Sequence, residues 1–293
     1  MTVLSLFDGI SCGLVALKNL GIEIDTYYAY EIDKDAIKIA MKNHPEIQQR
    51  GNVLDADFTQ YENIDLLLGG SPCQDLSIVM NRDRTGLDGK KSSLFWSYVD
   101  ALNTVKPHFF LFENVGNMRE SDKKIITSAL GVEPIKINTS IFLPQNRERL
   151  YWTNIPVLPL PQASGLCFAD VMEQAAAERY YYQKSFTLEE NKDKNVIGTL
   201  EINTHEALKR VYSPQGIIGC LTCVSGGYQE KKVYVPEENR VRKLTPIEYE
   251  RLQGLPDNYT EGLSNSKRYT VCGNGWSIPV IEHILKGLRY AAN

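Results

Sequence analysis

Short apolar runs alternate with stretches of helical spacing over the first half of the chain. Residues 2–7 are apolar and strand-like, and residues 14–20 carry apolar positions at helical spacing until Gly21 stops them. Residues 26–30 predict a second strand, and the charged stretch 33–43 predicts a helix that ends before Pro45. Residues 65–68 and the very apolar 109–112 predict strands on either side of an amphipathic helix over 93–104. A short helix over 123–130 and a strand over 150–153 close the series. The alternation predicts an α/β fold: a doubly wound, mainly parallel sheet with helices on both faces.

The pattern breaks at Ile155-Pro156-Val157-Leu158-Pro159-Leu160-Pro161, which regular helix cannot accommodate. From there to about Val241 the chain shows short strand-like pieces and Gly/Ser turns such as Ser225-Gly226-Gly227. Helical pattern then returns. Thr245 is placed as an N-cap, Pro246 at the first helical position and Glu248 in the first turn. A final helix is predicted over 278–290. The expected organisation is a large domain over 1–156, a smaller loop-rich domain over 157–240, and a segment 241–293 that returns to the large domain beside its first strand.

Composition narrows the function classes. No apolar run approaches the roughly 18 residues of a membrane span, and no basic leader precedes the first strand. Six scattered cysteines do not make a disulfide framework, so a reducing cytoplasm is expected. Cys220 and Cys223 form a single C-x-x-C without a second pair, and no metal is expected. The net charge of -4 argues mildly against a dedicated nucleic-acid binder. Two local basic clusters qualify it: Arg82, Arg84, Lys90 and Lys91, and Arg240, Arg242 and Lys243. Taken alone, either reads more readily as solvated surface.

The candidate chemistry lies at strand ends. Gly69-Gly70-Ser71-Pro72-Cys73-Gln74-Asp75-Leu76-Ser77 follows a predicted buried strand. A cysteine there is poorly placed for a core and well placed for a nucleophile, because open α/β sheets carry their chemistry beyond the strands' carboxyl ends. Glu113 ends a second apolar run, and Gln145-Asn146-Arg147-Glu148-Arg149 lies further on. Thiol, carboxyl and guanidinium are the groups needed to attack a pyrimidine, protonate it and hold it. The turn Phe7-Asp8-Gly9-Ile10-Ser11-Cys12-Gly13 joins the first strand to the first helix, with small residues that let backbone approach a ligand. It is not G-x-G-x-x-G, which disfavours a nicotinamide enzyme. Glu31, at the next strand end, is suited to ribose hydroxyls or to a helix N-terminus.

These motifs together resemble the DNA cytosine-5 methyltransferases. The ordered set is FDGISCG, YEID, GGSPCQ, FENV, QNRER, RKLTPIEYERLQGLPDNY and GNGWSIPV, over roughly residues 3–154 and 240–290. GGSPCQDLSIV and LFENV are similar to the vertebrate de novo class. RKLTP and ERLQGLPDNY look like bacterial and phage restriction-modification enzymes, which implies a stand-alone prokaryotic or phage form. The resemblance implies a Rossmann-like fold that binds S-adenosylmethionine, with S-adenosylhomocysteine as product. It places the cofactor at Phe7, Asp8, Gly9, Ile10, Cys12, Gly13, Glu31, Ile32, Val53, Gly70, Pro72, Leu94, Asn274 and Trp276. Asn52 holds the place of the family's adenine-binding aspartate, and its carbonyl still accepts from an amine; Asp55 and Asp57 are alternatives.

The implied catalytic set is Cys73, Glu113, Arg147 and Arg149. Cys73 attacks C6 of a flipped-out cytosine, Glu113 holds or shares a proton with N3, and the arginines bind O2 and nearby phosphate. Gln74, Ser77, Arg82, Arg84, Thr222, Gly226 and Gly227 are the implied DNA contacts, with residues 157–240 as the target-recognition domain. The expected partner is double-stranded DNA, the expected state a monomer in a bacterial or phage-infected cell, and a cognate restriction endonuclease remains open. Two rivals stand beside this reading. One is a tRNA cytosine-5 methyltransferase of the same fold, whose usual CFT tripeptide is missing here. The other is a silent DNA-binding homologue, which would be expected to have lost Cys73 or Glu113.

Overall fold

The computed structural model describes residues 1–72, 94–189 and 194–291. Elements appear in the order β1 (Thr2–Leu6), α1 (Cys12–Asn19), β2 (Thr26–Tyr30), α2 (Lys34–Asn43), β3 (Gln48–Gly51) and β4 (Leu66–Gly69). There follow α3 (Phe95–Val105), β5 (Phe109–Val115), α4 (Glu120–Leu130), β6 (Ile135–Asn138), β7 (Gln145–Asn146) and β8 (Glu148–Thr153). The remainder is β9 (Phe186–Leu188), β10 (Val196–Leu200), α5 (Glu206–Lys209), β11 (Arg210–Tyr212), β12 (Ile218–Gly219), β13 (Lys232–Val235) and β14 (Arg240–Lys243), then α6 (Pro246–Gln253), α7 (Asn265–Asn274), α8 (Ile278–Leu285) and α9 (Leu288–Ala291).

Two compact units divide the chain. The first comprises Met1–Asn138, Glu148–Pro159 and Val280–Asn293. Its seven-stranded sheet runs β3-β2-β1-β4-β5-β8-β6. Pairings from β3 through β5 are parallel, and β8 runs antiparallel to both β5 and β6. The mainly parallel α/β sheet expected from the sequence is therefore present. The edge strand β3 and the strand β6 were not foreseen. Beside β3, Arg50 lies over the Tyr28 ring at 4.8 Å. Phe95, Tyr98, Phe112 and Trp152 form a chain of tilted and edge-on aromatic contacts in the core. Gly69 sits where β4 meets that cluster; a Cβ there would lie 2.5 Å from the Tyr98 ring.

The second unit comprises Thr139–Arg147 and Leu160–Pro279. It holds a mixed five-stranded sheet, β14-β13-β11-β10-β9, and a two-strand pairing of β12 with β7. The expected boundary at residue 241 also moves. Residues 241–279 stay with the second unit, because β14 pairs with β13 and Arg242 is buried against Glu248. Thr245 caps α6 as foreseen: Thr245 and Glu248 form a reciprocal capping box, with Pro246 at its start. Only residues from Val280 onward return to the first unit. There Asn19 Nδ2 donates to Glu282 Oε1 at 2.7 Å, and Gly287 lets the chain approach the Pro156 carbonyl.

The same geometry corrects the second basic cluster. Arg242 donates to both carboxylate oxygens of Glu248 at 2.6 and 2.8 Å. Arg240 pairs with Glu178 and lies 4.1 Å over the Tyr181 ring. Lys243 Nζ is 3.7 Å from Glu230. These cations are matched by acids within their own unit and do not form a basic patch. No helix among the described residues is long and apolar enough to cross a membrane.

Candidate active site

The turn after β1 is wound by alternating left-handed residues: Phe7, Gly9 and Ser11 have φ of 59°, 58° and 61°. Asp8 N–H donates to the Tyr30 carbonyl at 3.1 Å, and Gly9 N–H to Glu31 Oε2 at 2.8 Å. The other Glu31 oxygen accepts from Ile32 and Asp33 N–H, both at 2.8 Å. The ends of β1 and β2 are thus joined through one carboxylate. Asp8, expected at the cofactor, is held by its own neighbours. Its carboxylate accepts from Ser5 Oγ at 2.6 Å, from Tyr27 OH at 2.7 Å and from Ser11 Oγ. The Asp8 residue is partly exposed, but its carboxylate is enclosed by these hydroxyls, and burial raises its pKa to about 6. Hydrogen bonds from Ser11, Ser5 and Tyr27 oppose that rise, and the Glu31 charge adds to it.

Ile10, Cys12 and Gly13 are buried at the start of α1, and Phe7 and Leu94 are half-buried against the core. Beyond the ends of β2 and β3, Ile32 is 68% exposed and Leu54 is also exposed. Val53 is buried beneath them in the first unit, and Asn52 Oδ1 caps Leu54 N–H at 3.2 Å.

Beyond β4 the chain passes through Gly70, Ser71 and Pro72. Cys73, Gln74, Ser77, Arg82 and Arg84 lie outside the described residues. Beside this path, Asn114 is buried, with Nδ2 3.4 Å from the Ser71 carbonyl and Oδ1 accepting from Val115 N–H at 2.8 Å. Asn114 was not singled out from the sequence; its place between Glu113 and a buried apolar strand was the available signal. Glu113 is 9% exposed, and its Oε1 lies 2.9 Å from Arg149 Nε. Glu113 stands opposite Tyr151 in the β5–β8 ladder, so Arg149 is its diagonal neighbour on the same face.

Arg147 is the other arginine of the same segment. It belongs to the second unit and is 3% exposed. Its NH1 reaches the Leu221 carbonyl at 3.2 Å and Cys220 Sγ at 3.5 Å; NH2 reaches the carbonyls of Gly273 and Gly275 at 3.2 and 2.9 Å. The guanidinium of Arg147, expected to be catalytic, is bonded to carbonyls within its own unit. Gln145 and Gln253 join it. Gln145 Nε2 donates to the Leu252 carbonyl and its Oε1 accepts from Leu221 N–H, while Gln253 Nε2 donates to the carbonyls of Cys272 and Gly275. This buried polar hub was missed, because Gln145 and Gln253 lie in the polar runs QNRER and YERLQG, where nothing marks them as buried.

The hub holds the segment that carries Thr222. Thr222 is exposed, and Gly273 allows its backbone to pass so close that a Cβ would lie 2.6 Å from the Thr222 carbonyl. Cys223 Sγ donates to Asn274 Oδ1 at 2.9 Å. Asn274 ends α7 and Trp276 is half-buried beyond it, both in the second unit. Gly226 and Gly227 form an exposed turn at φ of 110° and 66°.

The sequence pattern of C-5 cytosine-specific DNA methylases matches residues 1–289. The chain belongs to that family. It is 29% identical to the orphan methyltransferase M.Rho11sI of Bacillus phage rho11s over 94% of its length, but spans only 53% of that relative. It is 27% identical to the type II methyltransferase M.HpaII of Haemophilus parainfluenzae, over 96% of this chain and 87% of the other. Among solved structures, the Entamoeba histolytica methyltransferase EhMeth aligns with all of this chain and 99% of its own at a TM-score of 0.77 and 18% identity. S. pombe Dnmt2 aligns over the same shares at 0.69 and 17%. These two show the fold.

For a methylase of this family the donor is S-adenosylmethionine, and the first unit suits it. Gly9 has open space where a Cβ would stand, Glu31 presents a carboxylate at the strand end, and Ile32 leaves an aliphatic side chain bare beside it. Ribose hydroxyls and an adenine face match those groups. Among the described residues no cluster of His, Cys, Asp or Glu could hold a metal ion.

Proposed function

We propose that the protein methylates C5 of cytosine in double-stranded DNA through a covalent Cys73–C6 intermediate. The observation that carries this is the Glu113–Arg149 pair on one face of the sheet, at the end of β5, beside the path that leads from β4 to Cys73. Cytosine C5 is too weak a nucleophile to take a methyl group unaided. Addition of the Cys73 thiolate to C6 makes C5 enamine-like. Glu113 shares a proton with N3 as the ring gains electron density, and Arg149 holds Glu113 in place and offers donors to O2. S-adenosylmethionine supplies the electrophilic methyl group. Loss of the C5 proton to a base then allows elimination, which restores both the aromatic ring and the thiolate. The ring atoms are shielded in a duplex, so the target base must leave the stack.

Glu31, Ile32 and the Phe7–Gly13 turn hold the donor in this reading, with Asn52 accepting from the adenine amine. The second unit reads the flanking bases through Thr222, Gly226 and Gly227. The family's description as DNA methylases supports DNA over tRNA, as does the missing CFT tripeptide. The test is transfer of labelled methyl from S-adenosylmethionine to duplex DNA and, separately, to tRNA, with the product nucleoside identified. Label in 5-methylcytosine of DNA is expected; label confined to tRNA would establish the rival.

A further inference from the structure

The loop that follows β12 is held at both ends by buried cations. At its start Arg147 donates to the Leu221 carbonyl. At its end Lys232, 1% exposed, donates Nζ to the carbonyls of Tyr228 and Glu230 at 2.7 and 2.8 Å. The same ammonium lies 5.8 Å from the centre of the Tyr182 ring, and that ring lies 6.0 Å from the ring of Tyr228. Gln229 Oε1 closes the turn by accepting from Ser225 N–H at 2.7 Å and Ser225 Oγ at 3.1 Å.

Two features of this loop are costly to the fold. Tyr228 follows Gly226 and Gly227 into the left-handed region, at φ of 64°, where a bulky side chain is disfavoured. Burying an ammonium also opposes folding, and it lowers the Lys232 pKa to about 8. A solvated surface turn needs neither. Together they fix the backbone that presents one exposed aromatic side chain: Tyr228 is 39% exposed, at the end of an exposed run that begins at Ser225. A tyrosine so held has lost backbone freedom before it meets a partner, so contact costs less ordering entropy. Its ring offers a flat apolar face, and its hydroxyl both donates and accepts.

We propose that Tyr228 is a DNA-contacting residue that helps set the methylated sequence, and that Lys232 is the positioning residue that fixes it. This rests on the reading of the protein as a duplex DNA methylase. Tyr228 lies beside Gly226 and Gly227, yet neither glycine can offer the ring and hydroxyl that Tyr228 brings to a base edge or sugar.

The experiment compares wild-type protein with Tyr228→Ala and Lys232→Met on a mixed-sequence duplex library, mapping methylated sites and measuring KM for duplex, kcat and S-adenosylhomocysteine affinity. Tyr228→Ala is expected to raise KM for duplex roughly tenfold and to relax the preferred sequence, with kcat and cofactor affinity unchanged. Lys232→Met is expected to do the same. Tyr228→Ala is exposed, and decides the matter should Lys232→Met fail to fold. A wild-type map and KM in Tyr228→Ala would overturn the proposal. A folded Lys232→Met with lowered Tm but unaltered sequence preference would overturn the positioning role. Wild-type protein that methylates no duplex would remove the DNA reading, and this proposal with it.

Discussion

Arg149 Nε lies 2.9 Å from Glu113 Oε1, diagonally across the antiparallel ladder of β5 and β8. Both side chains are mostly buried, and the sheet fixes their separation. Removing either leaves the other charged and poorly solvated. Glu113→Gln is expected to lower the single-turnover methyl-transfer rate by roughly 10²–10⁴, the range for a positioned acid or base. Arg149→Ala is expected to lower it as well, and the double variant to be no slower than the worse single one, because the two groups act as a unit. Additive losses in single-turnover kinetics would show that they act separately.

The two arginines of the QNRER segment are expected to part company. Arg147→Ala removes the donor to three carbonyls inside the second unit. Leaving buried acceptors unsatisfied costs about 1–3 kcal/mol each, so a stability loss of several kcal/mol is expected. Arg149→Ala is expected to lower the chemical rate far more than Arg147→Ala does. Urea unfolding and single-turnover kinetics on both variants check this. A stable, catalytically dead Arg147→Ala would return Arg147 to the chemistry.

Asp8 gives stability a pH dependence of defined sign. Its folded pKa, about 6, exceeds the ordinary 3.8. The contribution it makes is therefore fully present below the unfolded value and is lost as pH rises through about 6. A shift of that size corresponds to about 3 kcal/mol, an upper figure for a partly exposed residue. Asp8→Asn is expected to flatten the fall in unfolding free energy between about pH 4 and 6. Parallel wild-type and variant curves in urea titrations across that window would contradict the assignment.

Much of the first unit was legible in the sequence because its strands are apolar and its helices keep their spacing. β3 was not, because Gln48, Gln49 and Arg50 carry no apolar signal and the strand sits at the sheet edge. The second unit's strands run two to five residues, too short for alternation to stand out from turns. Glu113 and Arg149 were both readable as candidates, but nothing in the sequence separates Arg149 from Arg147. The chain passes from one unit to the other between Arg147 and Glu148, and that places two identical side chains in different units. The three hydroxyl partners of Asp8 were not legible either, because Ser5, Ser11 and Tyr27 meet its carboxylate only once the turn is wound and β2 is paired with β1.

The central claim is the covalent step at Cys73. Duplex DNA carrying 5-fluorocytosine should trap the protein in the presence of S-adenosylmethionine, since fluorine cannot leave C5 as a cation. Denaturing electrophoresis followed by peptide mass spectrometry is expected to find the nucleotide attached to Cys73, and Cys73→Ala is expected to give no adduct while still binding S-adenosylhomocysteine. A wild-type protein that methylates duplex DNA yet forms no adduct, or a Cys73→Ala variant that retains substantial turnover, would contradict the mechanism.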